Sequence, residues 1–205
     1  MKLIIGVDEV GRGPLAGPIT LVAFVAPENW RNKLIKILGG KIKDSKLFSP
    51  ARRFEIYKEL QKLKKNNLVS FSVSHISNKV IDKKGLTYAT NLGIKRCLNK
   101  LQHTNLNYNG DHCYLRLDGL LRASKEFKNQ KTIIGGDSKN IFIACASIVA
   151  KVRRDRLMCR LAKKYPQYSL EIHKGYGTLL HYKLLKKHGL SDLHRISFCS
   201  NIKPW

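Results

Sequence analysis

The sequence predicts an α/β protein in which a partly antiparallel sheet is flanked by helices and followed by a C-terminal helical appendage. Three observations predict it. Strand-like and helix-like segments mix without the strict alternation that a doubly wound parallel sheet needs. The chain has 205 residues, 43% of them hydrophobic, which suffices for one full core and hardly for two independent domains. After Pro166 the regular pattern gives way to short helical pieces. Residues 1–165 are therefore expected to form the core, and 166–205 an appended segment of the same globular unit.

The elements follow in chain order. Leu3 to Val7 is a branched, apolar run that reads as a strand, and the adjacent carboxylates Asp8 and Glu9 follow it. Ile19 to Ala26 reads as a second strand, joined to the first by a loop that carries Gly11-Arg12-Gly13, so the chain opens in hairpin-like fashion. Ser49-Pro50 is an N-cap followed by proline at the first helical position. Phe54, Ile56, Leu60 and Leu63 then form a stripe at helical spacing, with the helix ending near Asn66. Val69, Phe71 and Val73 alternate with Ser70, Ser72 and Ser74, the period of a strand with one buried face. Leu86 to Leu101 returns to helical periodicity. Cys113, Leu115 and Leu117 alternate with Tyr114, Arg116 and Asp118 in a further strand that ends before Gly119. Thr132 to Ile134 is a short strand running into Gly135-Gly136-Asp137-Ser138. Ile141 to Lys163 reads as a long helix stopped by Tyr165-Pro166.

Charge narrows the partners. The 39 Lys and Arg against 14 Asp and Glu give a formal charge of +25 and a pI near 10.1, so the chain attracts polyanions by counterion release and long-range steering. Lysine- and asparagine-rich spans such as Lys62 to Asn67 show that part of this excess is compositional. Charge alone thus nominates nucleic acid without singling out a surface. The five cysteines are odd in number and include no Cys-x-x-Cys pair, which argues against a disulfide framework or a zinc knuckle and for reduced, mostly buried thiols. The first apolar run is interrupted at Asp8, too early for a signal peptide, and no stretch is long enough to span a bilayer. A cytoplasmic protein without a membrane partner is expected.

The chemistry resides in four acids. Asp8 and Glu9 repel each other and resist burial, so a pair placed directly after a core strand needs a compensating cation. Asp118 ends a strand, and Asp137 sits beside a glycine-rich turn near a helix N-terminus. Singly, Asp137 reads equally well as an N-cap and Asp118 as a turn residue. If the element ends converge at one sheet edge, the four form an oxygen-rich site suited to Mg²⁺ or Mn²⁺. Two such cations suit phosphodiester cleavage.

Several motifs in order carry a resemblance: DEVGRGPLAGP at 8 to 18, DSK at 44 to 46, LDG at 117 to 119, GGDSK at 135 to 139, ASIVAKVRRDR at 146 to 156 and HKGYGT at 173 to 178. Together they resemble bacterial ribonuclease HII over nearly the whole chain. The resemblance implies a ribonuclease H-like fold and an endonuclease that cleaves the RNA strand of RNA–DNA hybrids and nicks duplex DNA beside an embedded ribonucleotide. It implies that Asp8, Glu9, Asp118 and Asp137 are catalytic and bind Mn²⁺ or Mg²⁺, that a metal-activated water attacks, and that 5′-phosphate and 3′-hydroxyl ends result. It makes Gly11, Arg12 and Gly13 ribonucleotide contacts, where glycines let backbone amides approach a 2′-hydroxyl or phosphate. Tyr176 resembles the family tyrosine that packs near the sugar and helps read its 2′-hydroxyl. Ser147 and Lys151, four apart on one helix face, become contacts to successive phosphates, and Lys46 becomes a phosphate or substrate contact.

Other positions are read as structural. Asp155 extends the Ser147–Lys151 stripe and fits a helical pair with Lys151 or Arg154. His173 and His181 flank the Tyr176 turn and fit satisfied structural histidines. Where the family commonly has a second lysine after Asp44-Ser45-Lys46 the chain has Leu47-Phe48, and Ser169 replaces a usual glycine. Neither change touches the acids. The related ribonuclease HIII carries an additional N-terminal substrate-binding domain, for which a first acid at residue 8 leaves no room. A nonenzymatic RNA-binding protein would account for the charge, but leaves Asp8-Glu9 unexplained, because clustered acids repel phosphates. A monomer without an obligate protein partner is expected.

Overall fold

A computed structural model describes residues 2–42, 45–102 and 112–200, with Lys46 described by its backbone alone. Five strands form one sheet in the order β3-β2-β1-β4-β5. These are β1 (Leu3–Val10), β2 (Ile19–Pro27), β3 (Ser70–Ile76), β4 (Cys113–Asp118) and β5 (Gln130–Ile133). The first three are joined by antiparallel pairing, whereas β4 runs parallel to both β1 and β5. The partly antiparallel sheet expected from the sequence is therefore present.

Two strand boundaries near the acids differ from the sequence reading. β1 does not stop at Val7: Asp8 pairs with Val22, Glu9 with Leu21 and Val10 with Thr20, so the paired acids belong to the strand. The reason is its partner, because β2 stays fully buried and extended down to Ile19 and keeps supplying backbone partners. β5 covers Gln130–Ile133, and Ile134 lies beyond it, 75% exposed. As an edge strand β5 is held by pairing to β4, and the Gln130 side chain ties it to the turn before it through Ala123 N at 3.0 Å and Phe127 O at 3.1 Å.

Helices cover both faces. The helix α1 (Arg31–Ile37), which the sequence pattern did not announce, and α2 (Pro50–Lys65) lie on one face together with α5 (Ile141–Lys164). Ser49 caps α2 through a bond from Arg52 N at 3.2 Å, and Asn66 closes it. α3 (Asn78–Gln102) covers the other face with Ile81, Ile94, Leu98 and Leu101 against Ile5, Val7, Leu21 and Ala23. It bends at Gly85, whose φ of 82° and ψ of 163° are not helical, which is why the sequence periodicity starts only at Leu86. The short helix α4 (Gly136–Lys139) leads into α5, which Asn140 caps by accepting from Phe142 N and Ile143 N at 3.0 and 3.3 Å.

α5 lies directly on β1. A Cβ added at Gly6 would fall 2.1 Å from the Phe142 carbonyl carbon, so only glycine permits this approach. The first turns of α5 are accordingly buried all round, from Ile141 to Ala150. After the turn at Pro166–Tyr168, the pieces α6 (Leu170–His173), α7 (Leu179–His188) and α8 (Ile196–Cys199) share a smaller core with Met158 and Ala162 of α5 and with Leu15 and Ala16. This seats the C-terminal segment beside the loop that follows β1. Among the described residues no helix is long and apolar enough to cross a membrane.

Candidate active site

Parallel pairing places the ends of β1 and β4 at one edge of the sheet. Val7 pairs with Leu117, so the next residues, Asp8 and Asp118, emerge side by side. β5 pairs with β4 up to Ile133 opposite Asp118, and the left-handed Gly135 then turns the chain so that Gly136 N donates to Asp118 Oδ1 at 2.6 Å. A side chain at Gly136 would press on Ile143 and on that same carboxylate oxygen. Asp137 follows in the first turn of α4. The four acids line one cleft of about 510 Å³, together with Gly11, Arg12, Gly13, Ser45, Ser147, Lys151 and Tyr176.

The electrostatics are those of a site awaiting positive charge. Burial, then repulsion from Glu9 and Asp118, raises the Asp8 carboxyl well above its ordinary value, although a bond from Ser147 partly offsets this. Asp8 Oδ1 also accepts from Glu9 N at 2.7 Å. Burial raises Glu9 as well, against the opposing effect of Arg12, whose guanidinium lies 3.3 Å from Glu9 Oε1. Glu9 Oε2 is buried and has no hydrogen-bond partner among the described residues. A buried, unpaired carboxylate oxygen is costly, and a hard cation would satisfy it. The donor set of carboxylate oxygens fits Mg²⁺ or Mn²⁺ rather than a softer metal. Among the described residues no three His, Cys, Asp or Glu side chains are grouped closely enough to hold a metal ion as they stand.

The other expected site residues divide. Gly11, Arg12 and Gly13 rim the cleft beside the acids, and Arg12 and Gly13 are exposed. Tyr176, 39% exposed, also lines the cleft, with the Arg154 guanidinium 5.6 Å from its ring centroid. Ser147 lies deeper than a surface phosphate contact would. It is 3% exposed, next to Asp8, and 2.8 Å from the Ser45 hydroxyl, because α5 sits so close to β1. Lys151, one turn further, reaches the cleft wall and bonds Asp155 Oδ1 at 2.9 Å, the helical pair the sequence allowed. Asp44 and the Lys46 side chain lie outside the described residues.

The histidines near Tyr176 form a directed chain. His194 Nδ1 accepts from Ser191 N at 2.9 Å, so its proton is on Nε2 and points at His181 Nε2, 3.2 Å away. His181 then donates from Nδ1 to the Tyr176 carbonyl at 3.0 Å. His173 stacks on His181 with centroids 4.2 Å apart and accepts from Gly175 N. Burial lowers all three imidazoles, His181 to about 4, and so keeps them neutral. They are satisfied structural groups that brace the Tyr176 turn.

Sequence reasoning missed two arginines. Arg154 and Arg195 are fully buried and bond main-chain carbonyls rather than acids. Arg154 donates to Pro18 O at 3.2 Å and Lys174 O at 3.0 Å. Arg195 donates to Gly17 O, Arg12 O and Gly11 O at 2.9, 2.7 and 2.6 Å. No local pattern marks two such residues among 39 basic ones. Ser45 was also unmarked, although it stands inside a quoted motif.

Comparison with known proteins gives the family and the fold. The family model described as Ribonuclease HII matches residues 5–201. A Ribonuclease HII from Caldicellulosiruptor bescii is 40% identical over 201 residues, covering 98% of this chain and 88% of its own. The ribonuclease H2 structure from Pyrococcus horikoshii OT3 superposes with a TM-score of 0.73 at 23% identity, over 98% of this chain and 96% of its own. The structure of Bst-RNase HIII in complex with Mn²⁺ does so at 0.67 and 16% identity, over 92% and 63%. These two structures speak for the ribonuclease H-like fold.

Proposed function

The chain belongs to the ribonuclease HII family, and from that premise we propose that its cleavage site is the cleft of Asp8, Glu9, Asp118 and Asp137. As a member of the family it is a metal-dependent endonuclease that cuts RNA in RNA–DNA hybrids and at ribonucleotides embedded in duplex DNA. The observation that carries the assignment is the convergence in one cleft of four acids from β1, the end of β4 and the first turn of α4, one of them with a buried oxygen that has no partner among the described residues.

Each residue has a task in this reading. Asp8, Glu9, Asp118 and Asp137 hold Mn²⁺ or Mg²⁺, which when bound activates the attacking water and stabilises the leaving 3′-oxygen. Asp8 is kept in one orientation by Glu9 N and Ser147, and Asp118 by the Gly136 amide, so little reorganisation remains to be done when substrate arrives. Arg12 shields Glu9 until substrate and metal enter. Gly11, Arg12 and Gly13 contact the ribonucleotide, and the Tyr176 ring packs on its sugar. Lys151 and Lys46 contact phosphates, the latter on the strength of its motif alone, and Ser147 serves Asp8 rather than a phosphate. Residues 1–165 cut while 166–205 grip. The free cysteines and a nucleic-acid substrate support a cytoplasmic location.

The test is nicking of duplex DNA containing one ribonucleotide, with Mg²⁺ or Mn²⁺ supplied. Asp118→Asn is expected to abolish nicking while leaving duplex binding largely intact. Equal nicking by both proteins would overturn the assignment.

A further inference from the structure

Arg195 lies on the C-terminal segment, yet its guanidinium ends in the loop after β1. Two of its nitrogens take the carbonyls of consecutive residues, Gly11 and Arg12, at 2.6 and 2.7 Å, while Nε takes Gly17 O at 2.9 Å. The group is fully buried, and among the described residues no carboxylate lies within ion-pair distance of it. Asp82, the nearest acid influencing it, is engaged with the amides of Ile196 and Ser197. A buried charge that forgoes an anion to bind three carbonyls holds a backbone shape.

What that shape does follows from peptide geometry. In a trans peptide the N–H points opposite the C=O, and the chain has no cis bonds among the described residues. Drawing the Gly11 and Arg12 carbonyls inward therefore turns the amides of Arg12 and Gly13 outward, together, on the cleft side of the loop. Neither amide has a backbone acceptor among the described residues. Two successive outward amides form a small concavity for an electronegative oxygen. Gly11 takes φ of 96°, and a Cβ there would fall 2.2 Å from Arg154 Nε, so the second buried guanidinium closes the loop from behind.

We propose that Arg195 is a positioning residue for substrate recognition: by chelating the Gly11 and Arg12 carbonyls it aims the Arg12 and Gly13 amides at the ribonucleotide, which makes ribose selectivity depend on the C-terminal segment. The proposal rests on the reading of Gly11–Gly13 as the ribose-contacting loop.

The test uses the full chain carrying Asp118→Asn, so that binding is read without cleavage. Affinity is measured for a DNA duplex with one ribonucleotide and for the same duplex without it. Arg195→Lys keeps the charge but cannot span three carbonyls, and Gly13→Pro deletes one amide proton directly. Both are expected to reduce the preference for the ribonucleotide, Arg195→Lys by about 5- to 30-fold if both amide bonds are lost, with affinity for the all-DNA duplex changed much less. A general loss of fold would lower both affinities alike. Should Arg195→Lys fail to fold, Arg195→Gln, whose amide reaches one carbonyl, is measured instead. An unchanged preference in the Arg195 variant while Gly13→Pro lowers it would overturn the proposal alone. An unchanged preference in both would overturn the reading of the loop as well.

Discussion

Gly6→Ala is expected to disable the enzyme although it replaces no residue that lines the cleft. The added Cβ would lie 2.1 Å from both the carbonyl carbon and the oxygen of Phe142 and 2.4 Å from Ile143 N. Carbon atoms pack at about 3.5–4.0 Å, so α5 must retreat by more than about 1 Å. All three obstacles are main chain, and no rotamer change relieves them. Overpacking of this kind costs about 1–3 kcal/mol, and the upper end is expected because a 24-residue helix must move as a unit. That helix carries Ser147, which serves Asp8 and meets Ser45 at 2.8 Å, and it carries Lys151 at the cleft wall. A displacement of about 1 Å in supporting groups costs on the order of 100-fold in rate. Urea unfolding should therefore show a lower midpoint with the slope unchanged, and single-turnover nicking at the ribonucleotide should slow by about two orders of magnitude in folded protein. A variant with the wild-type midpoint and a rate within about twofold of wild type would refute this account of how the helix is seated.

Tyr176→Ala should weaken the preference for the ribonucleotide junction more than general duplex affinity, as read by competition between matched duplexes, and an unchanged preference would remove the tyrosine from recognition. Asp8→Asn should destroy activity yet raise the stability of metal-free protein at pH 7 to 8. The folded-state carboxyl value is raised by burial and repulsion, so the favourable contribution of Asp8 exists at low pH and is lost as pH rises through that value; a lower melting temperature for the variant at pH 8 would contradict it. His75 and His181 are lowered by burial to about 4, so the unfolded chain takes up their protons first. Wild-type stability should fall by about 1.4 kcal/mol per pH unit per imidazole as pH drops from about 6.5 toward about 4, and a flat urea midpoint over that window would argue against neutral buried rings. Duplex affinity should fall at least about tenfold between about 50 and 200 mM salt if several Lys and Arg meet phosphates.

What could be read from the sequence was local. The Ser49-Pro50 cap, the alternation in 113–118, and the acids at 8, 9, 118 and 137 are properties of short windows, and the structure keeps them; the one-sided burial expected for 69–74 is not kept, because helices cover both faces of the sheet and bury Ser70, Ser72 and Ser74 while Val73 stays half-buried. The strand end at Val10 was not legible, since β1 continues only because β2 continues opposite it. Helix α1 was hidden because seven residues carry too few turns for periodicity to show. Ser147 looked like a surface group because helical spacing says which residues share a face but not what covers it, and the cover depends on Gly6, some 140 positions away. Arg154 and Arg195 were invisible for a related reason: their partners are backbone carbonyls, which every sequence has.

The distribution of buried charge ties these points together. Among the described residues the two most deeply buried cations lie around the Gly11–Gly13 loop and leave Asp8 and Glu9 alone. Had either paired with those acids, its guanidinium would have occupied the place of a divalent cation and the raised carboxyls would have returned to their ordinary range. Instead the positive partner of Glu9 is Arg12, whose side chain is 52% exposed and stands on the loop that Arg195 shapes. A pair this wet is worth at most about 1 kcal/mol, enough to quiet the carboxylate and too little to compete with a metal. The fold thus turns its two buried guanidiniums to backbone geometry and leaves Glu9 only a weak, displaceable ion pair.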